Sequence, residues 1–465
     1  MSRFIQRIPI LRNLAKAELY GGDDNVSLLG RGAIQTFILQ GSGMGLALAL
    51  QILLARVLGV ESFGHYVYAW TWITLLLVLG QAGMQTNSLR FIASYVGTGA
   101  WALLRGFRRF SISISLATSM VVALVFSTVI YLLRDRLETE LLVTFLLAAL
   151  VLPVNALINV TVDGLRALKH IMWAQVPTFI LRPLVLAALI GITLITMREP
   201  FDGPTAMALN LLSGVPVLVL SLAALNRKMP RAARTTPPAY AAREWGSAGL
   251  IFMLSAVIYE FTRRTDILMI GFFMGTSDAG IYATASRMAQ IVIFALLSVN
   301  MVFAPMIAEL YAQHRMAELQ KLVTLAARGI FAVSLVFGVS LAILGEWLLG
   351  LFGPAFTAAY PALLILIVGM LINSFVGPVG FLMMMTGHHR EAALILAMAA
   401  LLQIVMNAIL IPRYGLIGAA TATAATVALW NIVLALRAAR KLGINSAALS
   451  VKSKATRQHY ISRSQ

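Results

Sequence analysis

Twelve apolar stretches of about 20 residues run through this chain, each long enough to cross a bilayer as a helix. Only 12% of the residues are charged, against about 25% in soluble globular domains, so the chain lacks the polar surface needed for folding in water. The sequence therefore predicts an all-α membrane protein with about twelve transmembrane helices. The stretches are 33–55, 65–86, 110–133, 141–162, 173–196, 205–225, 247–273, 279–303, 328–349, 361–385, 392–411 and 416–438.

Basic residues are distributed unevenly over the loops between these stretches. Of the 36 Lys and Arg residues, 27 fall in the loops, or at the ends of the stretches, on the side that carries both termini, 5 fall on the opposite side and 4 lie in the interior of the stretches. Because Lys and Arg accumulate in cytoplasmic loops, both termini are predicted to be cytoplasmic. The 36 basic residues exceed the 18 acidic ones, and this excess favours contact with anionic membrane lipids over nucleic acid.

A repeated motif relates the two halves of the chain. At a constant spacing of 216 residues, Gly59 matches Gly275, Gly64 matches Gly280 and Tyr66 matches Tyr282. Each copy follows the first apolar stretch of a half, which predicts two six-helix lobes around a central cavity, related by a pseudo-twofold axis along the membrane normal. The predicted divisions are a cytoplasmic amphipathic segment 1–27, an N-lobe 28–225, a basic cytoplasmic linker 226–246, a C-lobe 247–438 and a basic cytoplasmic tail 439–465.

Several charged residues lie inside the apolar stretches, where a charge at the bilayer centre costs about 2.5–3.5 kcal/mol on the insertion scale. Glu260 and Arg264 are one helical turn apart, in the order that favours an ion pair within a helix. Asp266 points away from them and is expected to pair with a neighbouring arginine, as a structural or coupling charge. Arg182 and Arg287 have no carboxylate nearby in sequence and are predicted to line the cavity.

Away from the ends of the stretches, four arginines outnumber two carboxylates, which suits an anionic substrate such as a phosphate or pyrophosphate head group. Arg31 lies where the first stretch meets the cytoplasm, so a role as a positive-inside anchor is open for it as well. The tenth stretch is interrupted by Gly377, Pro378 and Gly380, which predict a hinge. The candidate substrate-binding residues are Arg31, Arg182, Arg263, Arg264 and Arg287.

Signatures of enzymes are missing from the sequence. It contains no Gly-x-Ser-x-Gly elbow, no P-loop, no His/Asp/Glu cluster with metal-ligand spacing, and no cysteine. We therefore predict a protein that is not an enzyme and has no cofactor. Any active transport would draw on an ion gradient, the membrane potential or the substrate gradient.

Seven short segments resemble the polysaccharide-biosynthesis flippases of the Wzx type. They are 55–66, 264–271, 280–282, 304–311, 351–356, 385–388 and 411–420, and the likeness extends over roughly 28–443. The resemblance implies the fold of the multidrug/oligosaccharidyl-lipid/polysaccharide (MOP) exporter superfamily. It also implies a location in the inner membrane of a bacterium, and transfer of an undecaprenyl-pyrophosphate-linked oligosaccharide repeat unit from the cytoplasmic to the periplasmic leaflet by alternating access.

The same resemblance implies further details of the function. Cavity arginines would hold the pyrophosphate. Of the charged residues singled out above, only Arg264 and Asp266 lie in a segment that matches the family. The polymer would be an O-antigen of lipopolysaccharide, a capsule or an exopolysaccharide. A polysaccharide polymerase and a chain-length regulator are the implied protein partners.

Two other functions remain open at the level of the sequence. A cation-coupled drug exporter of the same superfamily usually carries a carboxylate in its first span, whereas this chain has none between Asp24 and Glu61. A non-transporting scaffold of a polysaccharide synthase complex has no need of charges inside its spans. The missing carboxylate in the first span and the presence of charges inside other spans both favour the glycan flippase.

Overall fold

The computed structural model describes residues 24–196 and 201–448, with side chains described at 39 and from 41 onwards, except at six positions between 297 and 305. All regular secondary structure in these residues is helical, and ten of the helices are long and apolar enough to cross a membrane. The predicted all-α membrane fold is confirmed. Most of the predicted amphipathic segment 1–27 and most of the predicted tail 439–465 lie outside the described residues.

The long helices are named here in chain order, and shorter helical turns connect several of them. They are α1 (Asp24–Gly80), α2 (Trp101–Leu132), α3 (Thr139–Ala167), α4 (Ile171–Thr196), α5 (Gly203–Lys228), α6 (Ala242–Phe273), α7 (Thr276–Ala289), α8 (Phe294–Ala312), α9 (Met316–Gly350), α10 (Tyr360–Val376), α11 (Val379–Met385) and α12 (His389–Leu442). A 3₁₀ turn, Gln290–Ile293, joins α7 to α8.

The first and last of these helices are each interrupted by one glycine. At 57 and 54 residues, either would extend about 80 Å if straight, far more than the hydrocarbon core of about 30 Å. The backbone leaves the helical conformation at Gly59 (φ 71°, ψ −179°) and at Gly415 (φ 56°, ψ −133°). The chain folds back at Gly415. The evidence is that a Cβ on Gly418 would lie 2.2 Å from the carbonyl oxygen of Leu410, whereas a straight helix would separate these residues by about 12 Å. Each helix is long enough for two crossings, and the count of twelve spans stays a prediction.

The turns predicted to lie on the side opposite the termini come together at one end of the molecule, which we call the turn end. Arg56 donates hydrogen bonds to the carbonyl oxygens of Gly350 (2.8 Å) and Leu351 (2.6 Å). The side chain of Glu140 accepts a hydrogen bond from the backbone N–H of Gly203 at 2.9 Å. These contacts join, in two pairs, four turns that are far apart in sequence. The Arg56 contact joins the two halves of the chain.

The two copies of the repeated turn touch each other at this end. A Cβ on Gly64 would lie 2.4 Å from the carbonyl oxygen of Thr276, and a Cβ on Gly280 would lie 2.9 Å from Cα of Gly64. Gly59 and Gly275 have φ values of 71° and 108°, a region in which glycine is the residue without steric cost. The first glycine of each copy therefore makes the turn, and the second lets the two backbones meet. This equivalence supports the predicted pair of lobes, which stays a prediction.

At the opposite end, which we call the linker end, the predicted linker 226–246 packs on the first half of the chain. Trp245 is fully buried, and its indole Nε1–H donates to the hydroxyl of Tyr95 at 2.8 Å. The Trp245 carbonyl accepts a hydrogen bond from the side-chain amide of Asn87 at 2.9 Å. The start of α6 is thereby anchored on the first half.

The helix break predicted in the tenth stretch is present. Helix α10 ends at Val376, Gly377 has φ 76° and ψ −153°, and α11 begins directly after Pro378. A Cβ on Gly377 would lie 2.8 Å from Cβ of Ala327, so the break is packed against α9. Movement of the run from Gly377 through Pro378 to Gly380 as a hinge stays a prediction.

Candidate functional site

A cavity of about 270 Å³ lies between the two halves of the chain. Helices α1, α4 and α5 line one side of it, and α6, α7 and the following 3₁₀ turn line the other. The cavity therefore lies where the repeat predicts a central one. Its polar and aromatic lining residues are Gln51, Phe63, Tyr66, Trp70, Thr71 and Asn210 from the first half, and Arg263, Arg264, Thr284, Ser286, Arg287 and Gln290 from the second.

Three of the five predicted binding arginines line this cavity, namely Arg263, Arg264 and Arg287. All three come from the second half of the chain, the first two from neighbouring positions on α6 and the third from α7. No carboxylate is among the described residues that line the cavity. The site is therefore cationic, as the sequence predicts for an anionic substrate.

Two of these arginines have partners within the protein. The predicted pair of Arg264 and Glu260 is present, with 3.5 Å between Arg264 Nε and Glu260 Oε2. Arg263 donates to the hydroxyl of Tyr259 at 3.2 Å and to Oε1 of Gln290 at 3.3 Å. Since a guanidinium has five N–H donors, both arginines retain donors for a ligand.

The third arginine, Arg287, has no such partner. Within the described ranges, no group accepts a hydrogen bond from its guanidinium, and no carboxylate lies within 4 Å of it. Its electrostatic neighbours are Arg264, which carries the same charge, and Tyr66. An unpaired charge inside a membrane helix is costly and is found mainly at functional sites. An anion bound in the cavity would remove that cost.

Arg182 occupies a different position from the one predicted. It is not among the residues that line the cavity; instead its Nη2 donates to Oδ1 of Asn210 at 3.0 Å. Its Cζ lies 5.9 Å from the ring centroid of Trp70. Asn210 in turn donates from its amide to the hydroxyl of Tyr66 at 2.7 Å. The structure thus places Arg182 in support of three cavity residues, with no direct position in the lining.

The predicted pairing of Asp266 with an arginine is wrong. The buried carboxylate accepts hydrogen bonds from the hydroxyl of Tyr282 and from the backbone N–H of Ile267, both at 2.9 Å. Thr423 on α12 lies 3.5 Å from the same carboxylate. Two residues correspond to about 200° around a helix, so Asp266 is turned away from Arg264. It faces α7 and α12, which present hydroxyl groups there.

The side chain of Arg31, the remaining candidate, lies outside the described residues. Sequence reasoning missed three neutral residues of the cavity wall, Gln51, Trp70 and Asn210. A signal for the two amides was available, because burying an amide without a hydrogen-bond partner is also costly. Applying that cost only to charged residues left Gln51 and Asn210 unnoticed in their apolar stretches.

The described helices and the cationic cavity define a multi-pass, all-α membrane protein. An inward-facing multidrug resistance MATE family transporter of the MOP superfamily matches it with a TM-score of 0.70 at 16% identity, over 86% of this chain and 94% of that one. A MOP superfamily transporter from Pyrococcus furiosus, with a binding pocket described as reversed in polarity, matches with a TM-score of 0.63 at 16% identity, over 91% and 96%. At these identities the likeness shows the fold alone.

The chain belongs to the polysaccharide biosynthesis protein family, whose family model matches residues 29–311. The resemblance seen in the sequence is therefore confirmed. A probable low-salt glycan biosynthesis flippase, Agl15 of Haloferax volcanii, is 25% identical over 185 residues, which are 39% of this chain and 39% of that protein. The probable flippase AglR of the same organism is 27% identical over 202 residues, 42% and 41% of the two chains. The matches thus span about two fifths of these curated relatives.

Proposed function

We propose that this protein is a flippase that moves an undecaprenyl-pyrophosphate-linked oligosaccharide repeat unit from the cytoplasmic to the periplasmic leaflet. Membership of the polysaccharide biosynthesis family and the flippase names of two relatives support this class of activity. The observation that carries the proposal is Arg287, an arginine of a membrane helix that faces the cavity without a partner in the described chain.

In this proposal the arginine wall holds the pyrophosphate. Among the described residues, Arg287 and Arg263 have no carboxylate partner, whereas Glu260 lies beside Arg264. The wall therefore carries positive charge that an anionic head group neutralises. Charge-assisted hydrogen bonds from guanidinium groups to phosphate are among the strongest that proteins form. A cavity of about 270 Å³ holds a head group, while the polyprenyl chain stays in the bilayer.

Alternating access would require the two halves to separate at one end while they close at the other. The Arg56 hydrogen bonds and the contact of Gly64 with Thr276 join the halves at the turn end. With both termini cytoplasmic, as the basic residues predict, these contacts would close the cavity towards the periplasm of a bacterial inner membrane. A periplasmic polymerase and a chain-length regulator would act on the product.

The alternative of a cation-coupled drug exporter has less support from the cavity. A cationic drug requires negative charge or acceptor groups, whereas three arginines and no carboxylate line the described cavity. A scaffold of a synthase complex gives no reason for an unpaired Arg287. Both alternatives predict that the purified protein transfers no lipid-linked glycan, with or without the charge of Arg287.

The proposal is tested by reconstituting the purified protein in liposomes and measuring transfer of polyprenyl-pyrophosphate glycan between leaflets. Arg287→Gln removes the charge but keeps a polar side chain, and its matched control is Arg413→Gln, at an exposed arginine outside the cavity lining. We expect Arg287→Gln to lower transfer about tenfold or more, since hydrogen bonds to charged groups contribute about 1.5–3 kcal/mol. Arg413→Gln is expected to transfer like the wild type. Folded wild-type protein that neither binds nor transfers the glycan lipid would overturn the proposal.

A further inference from the structure

The two walls of the cavity differ in chemistry. The three arginines all belong to the second half, whereas the described residues of the first half contribute aromatic rings, amides and hydroxyls without any charge. We propose that the first-half wall is a sugar-binding subsite in which Trp70 is the surface that a sugar ring stacks on. This inference rests on the proposed function and assigns the neutral part of the substrate to its own set of residues.

The aromatic part of this wall consists of Tyr66 and Trp70, one helical turn apart on α1. Their rings are nearly parallel, with an interplanar angle of 12° and 6.5 Å between centroids, and both residues line the cavity. A sugar ring has an apolar face of C–H groups and a rim of hydroxyls. Such a ligand suits an aromatic face with hydrogen-bonding groups nearby, because Trp and Tyr combine a large apolar surface with one polar group.

The position of Trp70 is held from the protein side. Arg182 lies over its ring at 5.9 Å and is fixed by its hydrogen bond to Asn210, which also binds the Tyr66 hydroxyl. Since Trp70 touches the cavity and Arg182 does not, the guanidinium supports the indole from behind. Arg182 is therefore a positioning residue for this subsite.

The wall also has hydrogen-bonding capacity that the protein leaves unused. In the part of the chain that is described, neither the indole N–H of Trp70 nor the side-chain amide of Gln51 has a hydrogen-bond partner. An amide offers two donors and an acceptor, and polar groups at membrane depth are costly while unpaired. Sugar hydroxyls, which both donate and accept, would satisfy them.

The two walls meet in a way that suits one ligand spanning both. Tyr66 belongs to the neutral wall and is an electrostatic neighbour of Arg287 on the arginine wall. A sugar bonded directly to a pyrophosphate likewise places a neutral ring beside an anion. The geometry thus points to a glycosyl pyrophosphate as the class of ligand, with the ring on Trp70 and the anion on Arg287.

The test compares two probes on the full-length protein in nanodiscs, undecaprenyl pyrophosphate and undecaprenyl-pyrophosphate-linked N-acetylglucosamine. We expect the wild type to bind the glycosylated probe about tenfold more tightly than the bare one, from stacking and the added hydrogen bonds. Trp70→Leu is expected to abolish this difference while leaving affinity for the bare probe unchanged. Trp70→Phe should keep part of the difference, because it keeps an aromatic face.

The controls separate this subsite from a general effect on folding. Trp72→Leu removes a tryptophan of the same helix that does not line the cavity, and it should preserve the difference between the probes. Arg182→Gln is expected to reduce the difference without weakening the bare probe, which a phosphate-binding arginine could not do.

The outcomes that would overturn the inference are distinct from failure of the proposed function. Equal affinity of the wild type for both probes, or equal loss for both in Trp70→Leu and Trp70→Phe, would overturn the sugar subsite alone. Folded wild-type protein that binds neither probe would overturn the flippase proposal together with the subsite.

Discussion

Tyr66 and Tyr282 hold equivalent places in the two halves of the chain, yet their hydroxyls have opposite roles. Tyr66 accepts a hydrogen bond from the neutral amide of Asn210, whereas Tyr282 donates one to the carboxylate of Asp266. The turns that precede them use glycines in the same two ways. The repeat therefore preserves backbone geometry, while the charged residues around it have diverged.

This divergence explains the asymmetry of the cavity. In the first half, an arginine lies behind a neutral wall; in the second, arginines form the wall and Asp266 lies buried outside the lining. A ligand with one anionic and one neutral part has a single favourable orientation between such walls. Two halves that share a backbone can thus bind an asymmetric substrate.

The largest effect is expected where the two copies touch. In Gly64→Ala the new methyl group would meet the Thr276 carbonyl, which is backbone and cannot turn aside. We expect a loss of about 3 kcal/mol in stability, at the upper end for overpacking, measured as thermal unfolding in detergent. Gly45→Ala is the control, since a Cβ there has nothing within 4 Å. Equal melting of the two variants would mean that the copies do not meet at Gly64.

A smaller effect is expected from the acid of the second half. Asp266→Leu leaves the Tyr282 hydroxyl without its acceptor, and an unsatisfied buried group costs about 1–3 kcal/mol. Asp266→Asn keeps an acceptor oxygen and should lose less stability in the same melting assay. If both variants lose the same amount, the charge of Asp266 contributes and the hydrogen bonds alone do not explain its position.

The two tyrosines allow the halves to be compared directly. Tyr282→Phe removes a hydrogen bond to a carboxylate, and Tyr66→Phe removes one between neutral groups. Hydrogen bonds to charged groups contribute about 1.5–3 kcal/mol against about 1 kcal/mol for neutral ones, so Tyr282→Phe should lower the unfolding temperature more. The reverse order would show that the network of Tyr66 is the more important one for stability.

The smallest effect is expected at Arg56, whose counterpart 216 residues later is the exposed Phe272. Arg56→Gln removes hydrogen bonds to Gly350 and Leu351 at an exposed site, where such contacts contribute about 1 kcal/mol or less. We expect a small loss in thermal stability, with Phe272→Gln as the control. A loss as large as that of Gly64→Ala would place the main contact between the halves at Arg56.

The sequence predicts local relations well and long-range ones poorly in this protein. The pair of Glu260 and Arg264 follows from a spacing of four residues on one helix, and it is present. The partners of Asp266 and Arg182 could not be found in this way, because Thr423 and Asn210 come from other helices. The direction in which a membrane helix turns its charged residues depends on packing, which hydropathy does not encode.

The meeting of Gly64 with Gly280 has a consequence for the history of such a chain. In an interface between identical subunits, a residue touches its own counterpart only near the twofold axis. In a homodimer of six-helix chains, one codon would encode both of these glycines. A single mutation to alanine would then put two methyl groups into one contact. Joining the copies in one gene lets each half change its charges independently. At this contact, however, a larger residue on either side still meets the backbone of the other.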